Sequence, residues 1–190
     1  MSSLTKNAIV ASFIKLLKEK PFDKISVSDI TEDAGIARMT FYYHFKDIYD
    51  MIDYVIQEKL RSAVSKNFTY ETWREDYVAV YNSALKEKSF FLKIFNALDL
   101  RKIEDYLFDF AGKYVYGVID GHAERLGVTL DPKRREMLCE IFCYSVVGTL
   151  LNWISLGMKE APADVVDRFY STVKGTLDVT IMNAKAGDRS

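Results

Sequence analysis

The sequence has few cysteines, histidines and prolines, and its charges nearly balance. Two cysteines, two histidines and three prolines occur among 190 residues, and the formal net charge is −1. Cys139 and Cys143 lie four residues apart in a helical pattern, which does not suit a disulfide. We interpret both as small buried hydrophobic residues of a reduced, cytoplasmic chain. A net charge this small gives no whole-chain indication of nucleic-acid binding.

Residues suited to catalysis or metal binding are scarce. His122, Cys139 and Cys143 offer three zinc-ligand types, but the paired spacing of zinc sites is missing, so we predict no metal site. The sequence has no nucleophile elbow, P-loop or dinucleotide-binding glycine motif. We therefore predict no catalytic residues, no cofactor and no enzymatic activity. A small all-helical enzyme remains an alternative hypothesis, but no group of catalytic residue types supports it.

One uncharged run raises the question of a membrane. No residue from Ile141 to Met158 is charged, which reaches the length of a transmembrane candidate. Small and polar residues recur along one side at helical spacing: Ser145, Gly148, Thr149, Asn152 and Ser155. Larger apolar residues occupy another side, so we predict a helix buried all round inside the protein, at a subunit interface, and no membrane association.

Apolar residues recur with a period near 3.6, and no sustained period-two alternation occurs. We therefore predict an all-α fold. The prolines Pro21, Pro132 and Pro162 fall at element boundaries. The predicted helices cover residues 5–20, 27–34, 38–44, 47–66, 72–87, 89–97, 101–126, 131–157 and 162–184. We predict a DNA-binding domain over residues 1–46 and a larger helical domain over residues 47–190.

Residues 26–44 have the pattern of a helix-turn-helix. Ser26 is a plausible N-cap, and Asp29 at the third helical position completes a capping-box-like start. Gly35 supplies the left-handed residue that turns the chain, and Ile36 fills the angle between the two helices. A short second helix follows from Arg38, so the spacing predicts helix, tight turn, helix.

The second helix carries rings on more than one face. At ~100° per residue, Ala37, Phe41 and Phe45 share one quarter of the circumference and are predicted to face inward. The other positions form an outward arc: Arg38, Met39, Tyr42 and Tyr43, flanked by Thr40 and His44. Hydroxyls and imidazole suit phosphate, and ring edges and aliphatic stems suit thymine methyls, so DNA is the predicted partner. The alternative is an amphipathic helix with snorkelling tyrosines.

The run ISVSDITEDAGIARMTFYYHF, from Ile25 to Phe45, resembles the helix-turn-helix signature of TetR (tetracycline-repressor-like) transcriptional regulators. The resemblance implies a homodimer in which residues 38–44 of each subunit enter successive major grooves of a palindromic operator. It further implies a role for each outward residue: phosphate contacts from Thr40, Tyr42 and His44, phosphate or thymine at Tyr43, base edges at Arg38 and Met39, and Ser26 capping its helix against a phosphate.

Two positions depart from the family pattern. Ser28 stands where members often carry a base-reading arginine, and Ile48 stands where many have a phosphate-binding lysine. Lys46 is a candidate substitute. Residues 1–46 hold seven bases and five acids, a net of +2. We therefore expect modest affinity for DNA, and we expect this affinity to depend only weakly on salt concentration. These departures also motivate a second hypothesis, a co-regulator that acts through a protein partner.

The larger part of the chain is rich in aromatic residues. The resemblance implies that it encloses a small-molecule effector pocket and dimerises through its last two long helices, at about 131–157 and 162–184. The predicted ligand-binding residues are Phe91, Phe95, Tyr106, Phe110, Tyr114 and Trp153. An ordinary aromatic core is the alternative at each of them. Residues 150–166, LLNWISLGMKEAPADVV, are similar to a TetR subgroup that includes regulators associated with dihydroxyacetone kinase operons.

Overall fold

The computed structural model describes residues 2–63, 69, 71–98 and 100–185. Within these ranges the chain forms nine α-helices and one 3-10 helix, and the all-α prediction is confirmed. The α-helices are α1 (Ser2–Glu19), α2 (Val27–Asp33), α3 (Arg38–His44), α4 (Ile48–Ala63), α5 (Trp73–Lys86), α6 (Lys88–Ala97), α7 (Leu100–Arg125), α8 (Pro132–Ser155) and α9 (Pro162–Asn183).

The predicted helices are all present, and their described ends lie within three residues of the predicted ones. The predicted extension of the fourth helix to residue 66 lies outside the described residues. The sequence pattern missed the 3-10 helix Phe22–Lys24, which follows Pro21. Three residues are too few to show a hydrophobic period, so only the proline marks this segment.

Helices α1 to α3 pack into a small head. Its fully or almost fully buried side chains include Ile9, Phe13, Leu17, Ile30, Phe41 and Phe45. The Ser12 hydroxyl donates to the Ile30 carbonyl at 3.0 Å, which joins α1 to α2 inside this core. The bond replaces one that the hydroxyl would make to water, so the buried Ser12 is not left unsatisfied.

The buried core runs on from the head into the rest of the chain, here called the body. One cluster of packed side chains extends from Ile9 through α4 to Val166 on α9. Lys93 of α6 adds a polar link, since its ammonium donates to the carbonyls of Leu17 at 2.6 Å and Lys18 at 3.3 Å at the C-terminal end of α1. The division into domains at residue 46 stays a prediction.

Helix α8 is buried on one side only in the single chain. Leu150 and Trp153 are buried as predicted, whereas Ile141 and Tyr144 are more than half exposed. The prediction of a helix buried all round is therefore wrong for the isolated subunit. Length and composition would allow α8 to cross a membrane, but a core helix meets the same criteria.

Asp131 caps the N-terminus of α8, and we predict a measurable cost when the cap is removed. Its carboxylate accepts from the backbone N–H groups of Lys133 and Arg134, each at 3.1 Å. Asp131→Ala should lower the free energy of unfolding by about 0.5–2 kcal/mol in urea titrations followed by circular dichroism. Asp131→Asn keeps an acceptor and is the matched control. Equal losses in the two variants would show that the side chain does not act as a cap.

Candidate nucleic-acid interface and effector cavity

The turn between α2 and α3 is built by local hydrogen bonds and one left-handed residue. Ser26 and Asp29 form a complete capping box, in which the Ser26 oxygen accepts from the Asp29 N–H and the Asp29 carboxylate accepts from the Ser26 N–H. Gly35 has φ +65°, a conformation that a side chain would strain. The Ile36 N–H then donates to the Thr31 carbonyl at 2.9 Å, which closes the turn.

The rings of α3 divide between the core and the surface. Phe41 is 0% exposed and Phe45 2% exposed, and both pack against the head core, as predicted. Ala37 is exposed, so its inward placement was wrong. It is the N-cap of α3, with an extended backbone at ψ 147°, and helical periodicity does not apply to a residue outside the helix.

The outward arc of α3 is largely exposed. Met39 is 76% exposed, Tyr43 82% and Tyr42 45%, and Arg38 is also exposed. Thr40 and the flanking imidazole of His44 are half-buried. Large apolar and aromatic side chains lose favourable burial when they face water, so this surface is suited to a partner.

Three further candidate residues flank this arc. Ser26 at the start of α2 and Lys46 after α3 are exposed, and Ser28 is half-buried, with its carbonyl accepting from the Thr31 hydroxyl. The structure therefore places all nine predicted DNA-binding residues on α2 and its N-cap, on α3 and on the segment that follows α3.

Acidic groups balance much of the positive charge of the head. Three lysines are paired with carboxylates: Lys15 with Asp33 at 2.5 Å, Lys20 with Asp29 at 2.8 Å, and Lys24 with Asp23 at 3.7 Å. The Lys20 ammonium, helped by the Ser26 hydroxyl, holds the pKa of Asp29 well below its usual range. These pairs neutralise the lysines on the side of α2, where a phosphate would approach Ser26.

The start of α4 differs from the family pattern in charge as well as in residue type. Ile48, where a lysine is common, is half-buried against the continuous core. Asp50 in the first turn accepts from the Lys46 N–H at 2.8 Å, and Asp47 accepts from the Asp50 N–H at 2.9 Å. Two carboxylates beside Lys46 reduce its value as a substitute phosphate contact.

An apolar cavity of about 100 Å³ lies inside the body. Helices α4, α5, α7, α8 and α9 all contribute to its walls. Of the predicted ligand-binding residues, Phe110 and Tyr114 line it. Phe91 and Phe95 line a separate cavity of about 30 Å³.

The structure places the other two predicted ligand-binding residues outside the walls of these two cavities. Trp153 is a core residue whose indole N–H donates to the Glu160 carbonyl at 3.0 Å. Tyr106 packs at the edge of the continuous core. Trp73 and Tyr77 also line the larger cavity, but the sequence analysis did not predict them as ligand-binding residues. Their rings are four residues apart, which is the same spacing that identified Phe110 and Tyr114.

His122, Cys139 and Cys143 do not form a metal site in the part of the chain that the structure describes. His122 is buried and its Nε2 contacts the Asp178 carboxylate, which Arg125 also contacts, at 2.9 Å. Burial raises the pKa of the Cys139 thiol to about 12, so the thiolate that metals prefer is disfavoured. Both cysteines are free and buried, as predicted.

The exposed sides of α8 and α9 carry small and apolar residues at helical spacing. On α8 they are Met137, Ile141, Tyr144, Gly148, Asn152 and Ser155, and on α9 they are Thr172, Gly175, Val179 and Met182. These residues form the α8/α9 face. Glycines in the middle of each row let another helix approach closely.

Comparison with known proteins identifies the class. A family model described as bacterial regulatory proteins of the tetR family matches residues 9–55, and one described as a transcriptional regulator C-terminal region matches residues 71–175. The chain belongs to the TetR family. It is a transcriptional regulator with a helix-turn-helix DNA-binding domain, and not an enzyme.

Individual relatives point to one part of that family. The dhaKLM operon transcriptional activator DhaS of Lactococcus lactis is 27% identical over 94 residues, half of each chain. A solved structure of the dihydroxyacetone kinase operon activator DhaS has a TM-score of 0.68 at 19% identity, over 96% of this chain and 98% of that one. The regulator SAB2452 of Staphylococcus aureus is 34% identical over 67 residues, 35% of each chain. The chain thus aligns with half or less of the length of these curated relatives.

Proposed function

We propose that the protein is a cytoplasmic dimeric regulator that recognises a palindromic operator through α3 of each subunit and responds to a small-molecule effector in the body. The observation that carries this proposal is the exposed arc of α3, in which Met39 and Tyr43 project from a helix anchored by the buried Phe41. A rigid helix with an apolar and aromatic outer edge can enter a major groove and contact base edges there.

Each outward residue has a proposed part in operator binding. Thr40, Tyr42 and His44 contact phosphates, Tyr43 contacts a phosphate or a thymine, and Arg38 and Met39 read base edges. Phosphate contacts set the position of a helix on the duplex, and base contacts provide the sequence preference.

The α8/α9 face supports the proposed dimer. Two such faces bring four long helices together, with Gly148 and Gly175 at the points of closest approach. This arrangement covers the exposed Ile141, Tyr144 and Val179, which a solitary subunit leaves in water. A two-fold dimer of this kind presents two α3 helices to two half-sites of the operator.

The effector would act through α4. Leu60 of α4 lines the body cavity, and the same helix begins four residues after the end of α3. A ligand that favours one position of α4 would change the separation of the two heads. A coupling of about 1–3 kcal/mol would change operator occupancy several-fold or more.

A selection experiment tests the proposed DNA recognition. Purified protein is used to select bound fragments from the source genome, alongside Tyr42→Ala, Tyr43→Ala double-variant protein. We expect a palindromic motif enriched by the wild type only. No enrichment by a folded, dimeric wild type would instead support a co-regulator that needs a protein partner, a role favoured by the paired lysines of the head and the acids around Lys46.

Sedimentation equilibrium tests the dimer. We expect the wild type to have the mass of two chains, and Val179→Glu to dissociate at least about tenfold more readily, because an unpaired carboxylate would be buried on the two-fold face. Lys174→Glu, also on the exposed side of α9 but outside the α8/α9 face, is the charge-matched control. A monomeric wild type, or equal effects of both variants, would contradict this interface.

A further inference from the structure

The walls of the body cavity are almost entirely hydrocarbon. Of the nineteen side chains that line it, eighteen are aliphatic or aromatic, and Asp76 is the exception. The Tyr77 hydroxyl, a polar group of the wall, donates to the Val146 carbonyl at 2.7 Å. The hydroxyl hydrogen of Tyr77 is therefore bonded within the protein, and the ring of Tyr77 is the part that would contact a ligand.

Contacts within the protein stabilise the carboxylate of Asp76. It lies in the first turn of α5, where the positive end of the helix dipole favours an anion. Its carboxylate also accepts from the Thr72 hydroxyl at 3.1 Å. The side chain is buried, and these contacts stabilise it there without a cationic ligand.

The cavity has the size of a small ring. Its volume of about 100 Å³ is comparable with the ~150 Å³ of an engineered cavity lined by leucine, isoleucine and phenylalanine that stays dry and binds benzene. A charged compound would lose its hydration in such a site and gain little in return.

We infer that the effector is an uncharged, apolar compound about as large as a single aromatic ring. This inference rests on the effector part of the proposed function and gives that effector a chemical class. The compound would touch Leu60 on α4, Phe142 on α8 and Phe169 on α9 at once. It would therefore join the helix that leads to the head with the two helices of the proposed dimer face.

Three compounds of similar shape and different charge test the inference: ethylbenzene, benzylamine and benzoate. Each is titrated into the wild-type protein by calorimetry and in thermal unfolding. We expect ethylbenzene to bind once per chain and raise the melting temperature, and both ions to bind at least about tenfold more weakly. The absence of ethylbenzene binding would overturn the inference. Benzylamine binding as tightly as ethylbenzene would also overturn it, and would make Asp76 a recognition group for cations.

A cavity-filling variant locates the site. Ala111 lines the cavity, so Ala111→Leu should weaken ethylbenzene binding at least about tenfold. Ala97→Leu adds the same atoms at an exposed position of α6 and should bind like the wild type. Unchanged binding by a folded Ala111→Leu protein would overturn the assignment. If that variant is too unstable to study, the three wild-type titrations decide the outcome.

Operator binding is measured separately, with no compound present. Loss of ethylbenzene binding in a protein that still binds its operator would refute the ligand class and leave DNA recognition intact. Ethylbenzene binding by a wild type that selects no operator would count against the proposed function alone.

Discussion

Tyr42→Phe is expected to weaken operator binding about tenfold, and Tyr42→Ala about a hundredfold, in gel-shift or anisotropy titrations. A hydrogen bond to a charged phosphate contributes about 1.5–3 kcal/mol, and the phenylalanine removes only the hydroxyl that would donate it. The Tyr42 ring packs edge-on against Phe41 with centroids 5.6 Å apart, so alanine removes a packing contact as well. The melting temperature of Tyr42→Phe should equal that of the wild type.

The control removes a tyrosine hydroxyl outside both the outward arc of α3 and the α8/α9 face. Tyr170 lies on α9 and is half-buried, and Tyr170→Phe keeps the ring contact with Trp73, so this variant should bind the operator like the wild type. The salt dependence adds a second readout, because loss of a neutral phosphate contact should not change the number of counterions released. If Tyr42→Phe and the wild type bound equally well, Tyr42 would have no phosphate contact through its hydroxyl.

Phe41→Ala is expected to lower the free energy of unfolding by about 3–5 kcal/mol, the range for truncating a fully buried aromatic residue. Phe41 is 0% exposed, and its ring lies 5.8 Å from that of Phe45. Alanine would leave a cavity between α3 and the rest of the head core. Urea unfolding followed by circular dichroism measures the loss.

Tyr43→Ala is the matched control for this prediction. Tyr43 lies two residues further along α3 and is 82% exposed, so its truncation should change stability by no more than about 0.5 kcal/mol. Both variants should lose operator affinity, Phe41→Ala because α3 is no longer held in place and Tyr43→Ala because a contact is removed. Similar stabilities for the two proteins would mean that Phe41 does not anchor α3.

The helix-turn-helix was predictable because its signals are local. The Ser26 capping box and the left-handed Gly35 fix the start of α2 and the turn, and the structure confirms both. The inward placement of Ala37 failed because helical spacing was extended to a residue with an extended backbone. Periodicity applies only within the helix, and Ala37 precedes both the predicted and the observed start of α3 at Arg38.

The body cavity was only partly predictable. Phe110 and Tyr114 were identified from rings spaced four residues apart, but Trp153 shows the same hydrophobic character and belongs to the core. Whether a ring lines a cavity depends on how five helices pack, which no local pattern records.

The exposure of one side of α8 in the single chain was not predicted, for a related reason. Its apolar residues are those of a buried helix, and in the proposed dimer another copy of the chain would cover them.

The body cavity also bears on the response of the protein to hydrostatic pressure. An internal void is eliminated when a chain unfolds, so the unfolded state occupies less volume and pressure favours it. The body cavity of about 100 Å³ contributes to this volume change, which scales with the internal void volume without being equal to it. The ligand-free regulator should therefore be sensitive to compression, and a compound that fills the void should raise the pressure at which half of the protein unfolds.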